Sequence, residues 1–453
     1  MSLVVRAGAL VTGTGVQLEG GWIRSRQGEI VEIGSGPIPQ AGEVLDLPSC
    51  VMIAGLVNTH DHMYQWATRG YAYSSGLFGW LKELYPVWAR IDAEIVRAAA
   101  RAAIGRLLLA GCTMTTDHHY IFPAGQPGVF EALVEAGREL GIRFHPCRGS
   151  MDLGESQGGL PPDSVVEDLD LILAETERVV SSYHDATPGS MLRVAIAPCS
   201  PFSVTPRLMT ESARLARRLG VHLHTHLAET VDEVEFCVAR FGRRPLELLE
   251  EWGWLGADVW LAHGVHFSSD EIAQLGRTHT GIAHCPSSNM RLGSGACPAV
   301  DLVGAGARVG LGVDGAASNE DYDLLAEVHQ ALLLARLRAS MLGNRDGAGA
   351  LSPSGAFALA NQGGAAVLGR GDVGTIEVGK RADLALYRAD DLGRGGIADP
   401  LAAIALAPPA RAEAVVVDGR VVVRDGHLLT ADEDQLARDI SAASERLRGV
   451  NRA

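Results

Sequence analysis

The chain has 453 residues, 47% of them apolar and 21% charged, with a formal net charge of −15. That length exceeds one ordinary core and suits a large barrel with a smaller module. The acidic balance argues against a nucleic-acid polymer or an anionic membrane surface as partner, though not against a free nucleobase as substrate.

MSLVVRAGAL at the N-terminus lacks the long apolar core of a signal peptide, and no run is long enough to span a bilayer. Seven cysteines without regular spacing make no disulfide framework, so a reducing cytoplasm is the expected home. Residues 1–55 read as short strands broken by glycines: LVVRAGALVTG, GGWIRSRQGEIVEIG and GEVLDLPSC. They hold too little apolar content to stand alone. The pattern then changes to short apolar strands alternating with amphipathic helices, such as 92–110, 165–182, 206–219 and 268–277. The strands end near His60, Asp117, Arg148, Cys199, His226, His263, His284 and Asp314. Eight such units imply a parallel sheet with crossover helices, the number that closes a (β/α)8 barrel. After helices at 321–341 and 353–368, GTIEVGKRADLALY and AEAVVVDGRVVVRDGHLL return to strand alternation with Asp-Gly hairpin turns. The expected fold is α/β: a TIM-type barrel over 56–371, and a composite β-sandwich domain from 1–55 and 372–453.

In such a barrel the catalytic groups sit at the C-terminal ends of the strands, where this sequence concentrates His, Asp, Arg and Cys. In LVNTHDHMYQW, residues 56–66, His60 and His62 lie two apart and aim at one point, with Asp61 facing away. A lone His-x-His is more often two satisfied histidines, but later strands supply further ligands. His222, His224 and His226 share one strand face, and only His226, nearest the strand's end, reaches the barrel mouth; His224 packs lower or supports the site. Asp314 adds a carboxylate from the last strand. Three nitrogens and one oxygen with an open position describe a catalytic zinc site, one metal per chain, with iron(II) as a tolerated substitute. Glu229, three residues past His226, suits proton donation to a substrate ring nitrogen, against the alternative of a solvated loop glutamate. His263 suits orientation of the attacking water, against that of a core histidine. For His284 a packing or supporting role weighs at least as much.

These segments, with LAHGVHF, HCPSSNMRLGSG, GLGVDGAASN and GTIEVGKRADL in that order, resemble the amidohydrolase superfamily in its mononuclear-zinc deaminase branch, over essentially the whole chain. VNTHDHMYQ, LFGWLKELYPVWARI, DHHYIFP, RGSMDLGESQGGLPP and APCSPFSVTP look most like members that deaminate an oxidised purine, with guanine deaminases and triazine hydrolases as relatives. The resemblance implies metal ligation by His60, His62, His226 and Asp314, proton transfer by Glu229 and Asp314, orientation of the water by His263, and conversion of 8-oxoguanine and water to urate and ammonia. Guanine, isocytosine, a pterin or an s-triazine are the alternative substrates. Gln65 matches a base-contacting position. Cys199 stands where many branch members carry a substrate-binding histidine, and His-Asp-His stands where His-His-His is usual. Arg148 and Trp80 are further substrate-contact candidates, by hydrogen bonding and stacking, against a surface ion pair and a core aromatic. Only two lysines occur, Lys82 and Lys380, and neither ends strand four, which argues against a carboxylated-lysine binuclear site. No PCxxC accompanies an HxE, as the other zinc-deaminase architecture requires. The superfamily habit also leads us to expect a homo-oligomer.

Overall fold

The strands fall into two rhythms, and each rhythm builds its own sheet. The computed structural model describes residues 2–13, 15, 17–409 and 411–449, so residues 1, 14, 16, 410 and 450–453 of the expected β-domain lie outside the described residues. The first five strands are β1 (Ser2–Val11), β2 (Gln17–Glu19), β3 (Gly21–Arg26), β4 (Glu29–Ser35) and β5 (Glu43–Ala54). Eight shorter ones follow between helices: β6 (Leu56–Asn58), β7 (Cys112–His119), β8 (Arg143–Ser150), β9 (Ala195–Pro198), β10 (Leu223–Leu227), β11 (Val259–His263), β12 (Gly281–His284) and β13 (Arg308–Leu311). The last four are β14 (Leu384–Arg388), β15 (Ala414–Val417), β16 (Arg420–Arg424) and β17 (His427–Leu428).

Strands β6 to β13 close a parallel barrel. Their crossover helices start where side chains of Asp92, Asp168, Thr205, Ser268 and Asp323 accept the free amides of the first turn. β5 runs parallel to β1 and antiparallel to β14. Both ends of the chain thereby join one mixed sheet, nine strands among the described residues, ordered β17-β16-β15-β14-β5-β1-β3-β4 with β2 beside β1. The composite β-domain is thus one continuous hydrogen-bonded sheet. Its hairpins turn at Asp418-Gly419 and Asp425-Gly426, where both residues of each pair have φ between +52° and +74°, as a two-residue type I′ turn requires. GTIEVGKRADLALY is a strand only from Leu384. Gly374 and Gly379, at φ +86° and +92°, turn the earlier part instead. No helix among the described residues is long and apolar enough to cross a membrane.

β5 feeds directly into β6 through Gly55, where a Cβ would lie 2.2 Å from Thr113 Oγ1. The sheet is also fastened to the barrel by Arg143 on β8. Its fully buried guanidinium donates to both oxygens of Asp383 at 2.9 Å, to Asp418 at 3.1 Å, and to the carbonyls of Gly189 and Ser190. Removing the cation would strand the buried Asp383 carboxylate in a low-dielectric seam, while Asp418 would keep Arg381 at 2.7 Å. Arg143→Met is therefore expected to destabilise the fold by about 3–5 kcal/mol, measured by denaturant unfolding; a loss below about 1 kcal/mol would show that the seam relaxes or hydrates. The helix Glu433–Arg448 returns to the barrel: Leu436 and Leu428 meet Gly105 on the helix Ala93–Leu109, and Ser444 donates to the carbonyl of Ala67.

The barrel's register sets the site. Leu311 pairs with Asn58 and a bridge joins Asp61 to Asp314, so the HDH segment and the last strand end side by side. Leu227 pairs with His263, which brings the Glu229 loop beside the end of β11.

Candidate metal centre and active site

Four side chains from three strand ends converge. His62 Nε2 lies 3.0 Å from His226 Nε2, and Asp314 Oδ1 lies 3.4 Å from the Nε2 atoms of both His60 and His62. All four residues are buried. Their other polar atoms are engaged in a way that fixes the tautomers. His62 Nδ1 faces the carbonyl of His118 at 2.7 Å and His226 Nδ1 that of Cys199 at 2.7 Å. A carbonyl only accepts, so each Nδ1 carries the proton and each Nε2 presents a lone pair. His224 Nδ1 donates to the carbonyl of Trp260 at 2.9 Å, which leaves its Nε2 to accept from His60 Nδ1 at 2.8 Å. His60 Nε2 has no hydrogen-bond partner among the described residues. Asp314 Oδ2 accepts from Ser288 at 2.6 Å and Ser318 at 3.1 Å, turning Oδ1 toward the imidazoles.

Burial holds all three imidazoles below their ordinary range, hence neutral. Burial opposes ionisation of Asp314, but His60, His263 and His62 outweigh it and hold the carboxyl well below the usual carboxylate range. Three neutral nitrogens and one anionic oxygen fit a divalent metal; the donor groups close enough to share one ion are His60, His62, His118 and His226, and His60, His263 and Asp314. Asp61 belongs to another network, with Tyr322 and Asn58 donating to its oxygens.

His118 is a fifth donor near this point that sequence reasoning missed. Its ring stacks on His226 at 4.8 Å, its Nε2 meets the carbonyl of Ala197, and its Nδ1 is unpartnered. Met114 belongs to the barrel-interior cluster, and period-2 alternation carries that face through Thr116 to His118. That alternation was the available signal.

Beside these four side chains stand Glu229 and His263. His263 Nδ1 meets Asn289 Oδ1 at 2.9 Å, and its Nε2 lies 3.5 Å from Glu229 Oε2. Both residues are buried, and Glu229 Oε1 has no partner. Burial, with Asp314 and Glu233 adding to it against His263, pushes the Glu229 carboxyl up to about 7. Glu233, also missed, is a buried clamp: its two oxygens accept the amides of Ala228 and Glu229 at 2.9 Å each. Ala228, His263 and Asp314 have φ of +52°, +72° and +60°. Such strain in non-glycine residues persists only where surrounding bonds fix it, as the clamp does here.

A cavity reaches these groups and is lined also by Gln65, Trp80, Cys199, Tyr85 and Tyr120. Its enclosed space is about 30 Å³, room for a water or two. Gln65 is buried with neither amide atom partnered. Trp80 lines the cavity while its Nε1 donates to the carbonyl of Ala317. Burial raises the Cys199 thiol to about 12, so it is a neutral, polarisable wall rather than a nucleophile. Arg148 is not brought here. Its neighbour Cys147 faces the barrel interior, so Arg148 points outward, into a separate cavity. There it pairs with Glu167 at 2.7 Å and lies over the Phe122 ring. His284 is buried and lines yet another cavity, with Cys297 and Arg338.

A sequence model of the amidohydrolase family matches residues 51–422. The 8-oxoguanine deaminase of Pseudomonas aeruginosa is 46% identical over 97% of this chain and 98% of its own length. An isoxanthopterin deaminase from an unknown prokaryotic organism is 39% identical over 82% of this chain and 80% of its own. Among solved structures, the atrazine chlorohydrolase of Arthrobacter aurescens in complex with zinc superposes with a TM-score of 0.92 at 30% identity, covering 98% of this chain and 100% of that one.

Proposed function

The chain belongs to the amidohydrolase family, and from that premise we propose that it is a zinc-dependent deaminase of an oxidised purine, converting 8-oxoguanine and water to urate and ammonia. What supports this reading is the convergence of three unprotonated, buried Nε2 atoms and Asp314 Oδ1 beside the Glu229–His263 pair, at a cavity where Gln65 keeps its amide free. His60, His62, His226 and Asp314 would hold the metal, one zinc per chain; the same donors accept iron(II). When bound there, zinc supplies Lewis acidity that lowers the pKa of water from about 15.7 to about 7.

The chain's own groups do the rest. Gln65 donates to and accepts from the lactam edge of the base, setting the amino-bearing carbon against the reacting groups. His263, held by Asn289, orients the attacking water, and ionised Asp314 accepts its proton. Glu229, in its acid form, donates to the ring nitrogen next to the attacked carbon. Water oxygen has then added to that carbon; as the C–N bond to the amine breaks, the proton held by Asp314 passes to the amine, which leaves as ammonia, and the remaining hydroxyl proton returns to Glu229 as the carbonyl forms. Trp80 stacks on the base in this reading, and a cytoplasmic homo-oligomer is part of it.

The test is ammonia release by metal-quantified protein with 8-oxoguanine, guanine, isocytosine and a hydroxylated triazine side by side. The expected result is the highest kcat/KM with 8-oxoguanine. A preference for guanine or for the triazine would overturn the substrate assignment.

A further inference from the structure

One wall of the cavity is a face of the helix Leu77–Trp88, whose buried residues Leu77, Trp80, Leu81, Leu84, Tyr85 and Trp88 recur at helical spacing. Leu77, Trp80, Leu81 and Tyr85 line the cavity. The polar atom of Trp80 is already engaged with the carbonyl of Ala317. Tyr85 differs: it is 1% exposed, and its hydroxyl has no hydrogen-bond partner among the described residues. An unpaired buried hydroxyl is costly where phenylalanine would fill the same shape without penalty. Burial also holds the phenol well above its usual range, so the group is a neutral O–H donor at physiological pH.

Among the described residues, the other fully buried side-chain atoms of this cavity without a hydrogen-bond partner are the Gln65 amide and Glu229 Oε1. The amide reads a lactam edge and the carboxyl serves the reacting nitrogen, which leaves the Tyr85 hydroxyl as a separate donor. A monocyclic amino-lactam such as isocytosine has no group left for it. A fused bicycle with an oxygen on its second ring does, and 8-oxoguanine and isoxanthopterin, the bases named in two relatives' activities, share that feature. We propose that Tyr85 is a specificity-determining residue, its hydroxyl donating a hydrogen bond to the carbonyl oxygen on the second ring of a bicyclic amino-lactam. The assignment rests on the deaminase reading and sharpens it to a substrate class.

The experiment compares kcat/KM of metal-loaded wild type and Tyr85→Phe with 8-oxoguanine and with guanine, which lacks the second-ring oxygen. Phenylalanine keeps the ring and its packing, so the fold is retained. The expected result is a loss of about 10–100-fold with 8-oxoguanine and little change with guanine, so that the selectivity ratio falls by that factor. Equal losses with both bases, or no loss with either, would overturn the assignment while leaving the deaminase reading intact. Wild type inert toward both bases would show instead that the deaminase reading fails, and the assignment falls with it.

Discussion

Glu229→Gln is expected to lower kcat by about 10²–10⁴-fold while metal content and fold are unchanged. The substitution keeps the shape of the side chain and can still face His263, 3.5 Å from the present Oε2. It removes the transferable proton. Loss of kcat with KM nearly constant would mark an interaction made in the transition state rather than in the ground state. The pH dependence gives a second readout. Burial pushes this carboxyl up to about 7, and the donor acts only in its protonated form. kcat/KM should therefore decline as pH rises, with the limb at or below pH about 7, because a cation on the neighbouring ligands favours the anion. Glutamine at this position should abolish that limb. Full activity in the variant, or an unchanged limb, would remove Glu229 from proton transfer.

The strand ends were legible because barrel strands are short, apolar and buried on both faces, so a polar residue closing one stands out. His60, His62, His226 and Asp314 all stand out this way, and they meet at one point. What the sequence left unread has two physical causes. Side-chain direction alternates along a strand, so a polar terminus is not enough: Arg148 ends β8 but points away from the cavity, while His118, first in a pair of histidines, points inward. The other cause is tertiary pairing. Asn289 serves His263, Ser288 and Ser318 serve Asp314, and Glu233 holds the backbone of Glu229. None of these has a local pattern that marks it, because its partner lies on another strand end or across a loop. In the sequence Glu233 is one of three acids within five residues, with Glu229 and Asp232. Its complete burial follows from its place in the first turn of the helix Val231–Phe241, where it reaches back to two amides that no helix bond satisfies.

Stripping the metal with a chelator is expected to lower activity by about three orders of magnitude or more, with recovery on adding zinc. The protein's own geometry says why the loss should be large. With Nδ1 of His62 and His226 both committed to backbone carbonyls, their Nε2 lone pairs face each other at 3.0 Å with no donor between them. Burial disfavours relieving that repulsion by protonation, since it lowers the affinity of both rings for a proton. A divalent cation is the species that satisfies both lone pairs and the Asp314 charge together, so metal binding should also raise the thermal midpoint, by an amount that grows with free metal concentration. His224→Ala provides a graded check. It leaves the ligating atoms in place but frees His60 Nδ1 from the acceptor that keeps its Nε2 deprotonated. Metal affinity should fall by about 10–100-fold, as for other supports of a ligating histidine, and excess zinc should restore kcat. A chelated protein that retains full activity would show that these four side chains form a polar core and not a metal centre. If instead chelation abolishes activity but His224→Ala binds metal like wild type, the ligand set stands and the tautomer relay through His224 does not.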